Sequence, residues 1–293
     1  METQVARLGG LALALAACGC MSWTPGWRLE TTGARSGDAA PRRAEGDRLF
    51  LKADSRESLL AALEAYRGAL VVDPADYATL ARACEAATLL GAGYETGVAG
   101  KRRAYRKAIR LCEAAMATNP DFRARVVSGQ PIGAAAAALT SREADAMFFW
   151  VTAVSYYFKE CLWGPAHLLH FRWMLRARDV LAHLAEVAPE TNHGGVDFTW
   201  AIYYLALPAS AGGDMNASRA HFARAAQSAP DSLLVRWGRA KYFAVKTGER
   251  DLFVSDLDWV LAQDPRRAPS PYPWNVYFQR DARLLLSETD RRF

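Results

Sequence analysis

From Ser55 to the end of the chain, apolar residues recur every three or four positions with polar residues between them, the period of amphipathic helices. Five X-Pro pairs interrupt the pattern: Asp73-Pro74, Asn119-Pro120, Ala188-Pro189, Ala229-Pro230 and Asp264-Pro265. Proline lacks an N–H and disfavours helix in the residue before it, so each pair should end one helix. The prolines stand 46, 69, 41 and 35 residues apart. Counting back five residues from each gives Ala69, Ala115, Leu184, Ala225 and Val260. Eight back stand Tyr66, Cys112, Leu181, Phe222 and Leu257; twelve back stand Ala62, Ala108, Ala177, Ser218 and Phe253. Small residues at the outer positions let two helices cross closely, and the bulky one between them fills the adjacent groove. Val260 and Phe253 break the rule of small residues. Strand-like alternation is scarce, so the body should be all-α.

This pattern resembles the second helix of the tetratricopeptide repeat, whose period is about 34 residues. The match is best in ALEAYRGALVVDPADY and SRAHFARAAQSAPDS. It implies a solenoid of helical hairpins, about ten to thirteen helices over residues 55–293. A plain helical bundle is the alternative.

The first fifty residues follow another pattern. The apolar run Leu8–Ala17 is too short to cross a hydrocarbon core, which takes about 20 residues. It has the length of the apolar region of a secretory signal peptide. Leu15-Ala16-Ala17-Cys18 resembles a bacterial lipobox, which implies removal of residues 1–17, acylation of Cys18, export and tethering at a membrane face. Gly19 is not the Asp of an inner-membrane retention signal, which favours the outer membrane. A structural zinc site would need a second cysteine pair beside Cys18 and Cys20. Cys84, Cys112 and Cys161 sit singly in helical patterns and read as small hydrophobes, with no disulfide framework in their spacing. Residues 18–54, rich in Gly, Pro and charge, read as lipid anchor and flexible tether. Trp23 and Trp27 in it could rest on lipid headgroups or on the body.

A 293-residue chain with 51% hydrophobic residues can bury a large core, and a net charge of +5 gives little warrant for nucleic acid. In KRRAYRKAIR, residues 101–110, Arg102, Arg103, Arg106, Lys107 and Arg110 lie opposite an apolar face. A solvated face accounts for them; an anionic lipid surface or acidic partner is the other reading. His167 and His170 lack the further ligands a metal needs, and no metal or other cofactor is expected. His193, Asp197 and Ser210 come without a nucleophile elbow or phosphate loop, so the chain reads as a non-enzyme.

Residues 146–158 and 196–207 are helices apolar on both faces, which are either buried or line a cavity. Trp150, Tyr157, Trp200, Tyr203 and Tyr204 are the candidate ligand-binding residues, because buried Tyr and Trp each need a polar partner.

Residues 207–231, LPASAGGDMNASRAHFARAAQSAPD, resemble the signature of the TatT family, the T-component of TRAP-type tripartite transporters. The likeness rests on Leu207-Pro208, Gly212-Gly213-Asp214, His221-Phe222 and Pro230. RRAYRKAIRLCEAAMATNPDF and EADAMFFWVTAVSYY resemble the family's central helices, while the alanine-rich residues 129–140 stand apart. The resemblance implies a periplasmic lipoprotein that docks a periplasmic substrate-binding protein and holds or passes a small hydrophobic ligand. It carries over no catalytic residue and leaves homo-oligomers possible. A tetratricopeptide scaffold lipoprotein for envelope protein assembly is the competing expectation.

Overall fold

The computed structural model describes residues 21–28 and 37–293, so Cys18 and the leader lie outside the described residues. Every regular element among the described residues is helical. The main helices are α1 (Ala40–Phe50), α2 (Arg56–Val72), α3 (Tyr77–Leu89), α4 (Val98–Met116), α5 (Pro120–Val127), α6 (Ala144–Cys161), α7 (Pro165–His170), α8 (Arg172–Val187), α9 (Gly195–Ala206), α10 (Met215–Ser228), α11 (Leu233–Gly238), α12 (Arg250–Ala262) and α13 (Tyr272–Ser287).

Helix starts follow local chemistry. Ser55 accepts the Ser58 N–H, Asp76 that of Thr79, and Asn119 those of Asp121 and Phe122. Each satisfies a donor that the first helical turn leaves free. Helix ends follow the prolines: α2, α8 and α10 stop at Val72, Val187 and Ser228, one residue before the X-Pro pair. All fifteen positions counted back from the prolines are buried, none more than 2% exposed. Helices neighbouring in sequence pack on one another, α1 on α2, α3 on α4, α9 on α10 and α12 on α13. Central to the body is α6, between α4 and α8 and touching α3. A main core runs from Met21 to Leu285, and a small second one joins Ala201, Leu205, Phe222 and Phe243.

Two features differ from the sequence reading. First, the described part of the segment read as a tether is packed on the body. Phe50 at the end of α1 is buried, and Tyr66 donates to Asp47 at 2.8 Å. A Cβ on Gly46 would lie 2.5 Å from the Tyr66 ring, so glycine lets α1 approach α2. The helix is polar along most of its length, and its stability comes from docking, which a periodicity count misses. Met21, Trp23 and Gly26 likewise lie against the body, held by groups of α4, α7 and α8. Second, Cys84 on α3 and Cys112 on α4 form a disulfide, their Cα atoms 5.4 Å apart. These two cysteines are therefore a cross-link, while Cys161 is free and buried. The partners sit 28 residues apart and meet only because α3 packs on α4.

Candidate functional site

Helices α6, α8 and α9 carry residues that open onto one cavity of about 610 Å³, closed further by α13 and by residues 242–246. Facing it from α6 are Phe148, Phe149, Thr152, Ser155, Tyr156 and Lys159, positions that recur at helical spacing. Phe198, Thr199, Ile202 and Tyr203 face it from α9, and Ala177 and Leu181 from α8. Trp274 of α13 is held in the wall by donating its indole N–H to the buried Glu85 at 3.1 Å, and it stacks on Phe149. Hydroxyls of Thr152 and Thr199 are spent on the carbonyls of Phe148 and Gly195 within their own helices. The wall is thereby made largely apolar.

Charge on the wall is of one sign. Lys159, Arg178 and Lys246 line the cavity, and no carboxylate does. Arg178 is neutralised by Asp179 at 2.7 Å, and Lys246 donates to the Leu205 carbonyl. Lys159 lies 4.1 Å above the Tyr242 ring, itself part of the wall. Among the described residues its ammonium has neither hydrogen bond nor ion pair; the adjacent Glu160 is taken by Lys101 and the Tyr105 hydroxyl. Although Lys159 keeps accessible area, surrounding protein atoms strip water from the ammonium, and Lys241 repels it, so its pKa falls to about 8. An apolar cavity whose described wall carries cations and no carboxylate suits an apolar body bearing an anionic group.

The expected ligand residues do not converge. Tyr203 lines the cavity. Trp150 and Tyr157 are completely buried, and Trp150 donates to Glu113 at 3.3 Å. Trp200 and Tyr204 are half-buried and stack with His221 of α10, ring centres 6.0 and 5.4 Å away. Because α6 and α9 are apolar all round, hydrophobicity does not say which face meets the cavity. The missed signal is polar: Thr152, Ser155 and Lys159 form a stripe at i, i+3, i+7 on α6. His167 and His170 serve backbone groups, Phe158 O at 3.1 Å and Met21 N at 3.3 Å. Among the described residues, no group of three or more His, Cys, Asp or Glu could hold a metal ion.

Beyond α9 the chain turns sharply into α10. Leu207 and Pro208 are extended, Gly212 has φ +93°, and Asp214 accepts the N–H groups of Asn216 and Ala217 to cap α10. A Cβ on Gly213 would lie 2.0 Å from the Leu207 carbonyl oxygen. His221 bonds Asp197 at 2.7 Å and Phe222 is buried in the second core, locking α10 to α9. The turn, the cap and the His-Phe pair are thus one structural unit.

The profile of the family described as TRAP transporter T-component (TAtT) matches residues 57–293. The chain belongs to this family. A search of the curated proteins finds no match. In this T-component, Leu207-Pro208 and Gly212-Gly213-Asp214 form the turn between α9, which carries one cavity wall, and α10. Gly213→Ala should therefore lower stability by about 2 kcal/mol, since the carbonyl it meets belongs to a loop that can give only partly. A thermal melt reads this as a fall of about 5 °C; an unchanged midpoint would show that the turn is not tight.

Proposed function

We infer that this T-component serves its TRAP system by holding a small apolar-bodied anion, such as a long-chain carboxylate, in the α6–α8–α9 cavity. It passes the ligand to a periplasmic substrate-binding protein docked on it. The observation that carries this reading is the cavity itself, apolar on its walls and offering Lys159, which forms no ion pair among the described residues. The ligand's apolar body leaves water for the wall, while Lys159, itself exposed to solvent, supplies a charge-assisted bond. The reading is of transport without catalysis. Acylation at Cys18 holds the chain on the periplasmic side of the envelope, with the outer membrane preferred. The Cys84–Cys112 disulfide supports an oxidising compartment of that kind. No described helix is long and apolar enough to cross a membrane, so the lipid is the tether in this scheme.

The test is native mass spectrometry with lipid extraction on the full chain purified from membranes. An apolar acid should co-purify and be lost from Ile202→Trp, whose indole would occupy the cavity. Lys159→Gln should weaken its binding about 10- to 100-fold, the loss of one charge-assisted bond. Lys159 loses its proton as pH rises through about 8, so wild-type affinity for the anion should drop between pH 7 and 9. An empty wild-type cavity, with envelope proteins captured equally by wild type and Ile202→Trp, would favour the assembly scaffold instead.

A further inference from the structure

We propose that α7 and the N-terminal end of α4 form a membrane-contact face, on which the protein lies in the interface of an anionic bilayer rather than swinging on its lipid. The proposal adds a surface to the anchor reading and does not depend on the cavity's ligand.

Three large apolar side chains stand out from the surface within a few residues of each other: Trp163 is 45% exposed, Leu168 83% and Leu169 60%. Leu168 and Leu169 lie on the short helix α7 and Trp163 just before it, next to the N-cap Gly164. Around them the charge is positive. Arg102 donates to the Cys161 carbonyl at 3.1 Å, which sets the start of α4 beside the α6–α7 junction. Arg103 on the next position and Arg172 just after α7 are exposed. Apolar side chains at the centre with cations beside them are the composition that settles into a headgroup boundary, the first by burial and the second by attraction to anionic lipid.

The position of the chain's start identifies the occupant. Met21 is pinned to this same region: its N–H donates to His170 of α7 at 3.3 Å, and its carbonyl accepts from Trp173 of α8 at 3.1 Å. Trp23 then stacks on Trp173, ring centres 4.3 Å apart, and donates to the buried Glu113. Cys18 is three residues before Met21, and three extended residues span at most about 11 Å. If Cys18 is acylated, its lipid therefore enters the bilayer no more than three residues of chain from Met21, whose N–H bonds His170 next to Leu168 and Leu169. A protein partner or a second copy would have to share this face with the lipid. His167 of α7 also lines the cavity, so the contact would lay one wall of the cavity against the membrane.

The experiment uses the full lipid-bearing chain, with Cys20→Ser to remove a competing thiol, reconstituted in vesicles of phosphatidylethanolamine and phosphatidylglycerol. A nitroxide on Leu168→Cys is compared with one on Leu284→Cys, an exposed leucine of α13. The label at 168 should lie at or below the phosphate level, accessible to oxygen and shielded from a polar nickel reagent, while that at 284 stays aqueous. Equal aqueous exposure at both sites would overturn the proposal. So would shielding from both reagents with dipolar broadening between labels, which would mean a second copy covers the face. As a second measurement, non-acylated chain lacking residues 1–17 and carrying Cys18→Ser should sediment with the same vesicles, and Leu168→Asp/Leu169→Asp should reduce that binding at least five-fold. Binding that is absent or unchanged by the substitution would also overturn it.

Discussion

Replacing Glu113 by alanine is expected to loosen Trp23 and Gly26 from the body and to destabilise the protein by about 2–3 kcal/mol, the cost of leaving a buried hydrogen-bonding group unpaired. Glu113 has no exposure to solvent, and three N–H groups converge on it. Oε1 accepts from the indoles of Trp23 at 3.0 Å and Trp150 at 3.3 Å, and Oε2 accepts from Gly26 N at 2.7 Å. Burial pushes its pKa up to about 7, and the Gly26 and tryptophan donors act in the opposite sense. Trp23 and Gly26 can recover water by detaching, so the visible result should be release of that segment: faster amide exchange there and a red shift of tryptophan fluorescence. Trp150 cannot detach, which keeps the loss of stability large.

The pH dependence follows from the direction of the shift. A carboxyl whose folded pKa lies above its unfolded value binds more protons when folded, so its contribution is present below about 4.5 and is lost as pH rises through about 7. Glu85 on α3, buried beside Arg82 and Trp274, is shifted the same way, also to about 7. These two carboxyls should therefore lower wild-type stability from pH 4.5 to 7, opposed by His170 and His221, whose pKa values burial lowers, and the gap between wild type and Glu113→Ala should narrow over that range. Denaturant unfolding at pH 5 and pH 8 checks both statements; a gap that widens with pH would contradict the assignment.

Removing the Cys84–Cys112 disulfide through Cys84→Ala/Cys112→Ala should cost about 3.5 kcal/mol, the loop-closure entropy for residues 28 apart. Both sulfurs are fully buried in the α3–α4 contact, and alanine is tolerated among the surrounding Ala83, Ala86, Ala87 and Ala108. The fold should survive, with a midpoint lowered by about 10 °C. Intact mass without reductant should show two hydrogens fewer in the wild type than its free-thiol mass. Two free thiols together with an unchanged melt would remove the cross-link from the account.

Helix boundaries and core positions were legible because they rest on local rules. Proline past the first turn ends a helix, and the positions five, eight and twelve residues before the prolines of the five X-Pro pairs are all buried. The motif from Leu207 to Phe222 was equally legible, since its glycines, cap and His-Phe pair act within one hairpin. Less legible was α1, whose polar sequence hides a helix held by Tyr66 and Asp47. Of the five aromatic residues expected at a ligand site, Tyr203 lines the cavity, while Trp150 and Tyr157 lie in the core.

By itself, then, the chain determined an all-α body, its helix ends, its buried stripes and its family, all of which depend on period, proline and short motifs. Only the tertiary structure decided that Cys84 meets Cys112, that Glu113 gathers the N-terminal segment, and which face of α6 and α9 opens onto the cavity. The physical reason is that a helix apolar on every side has no preferred direction of its own. Its neighbours decide which side is packed and which is left open, and those neighbours come from distant parts of the chain.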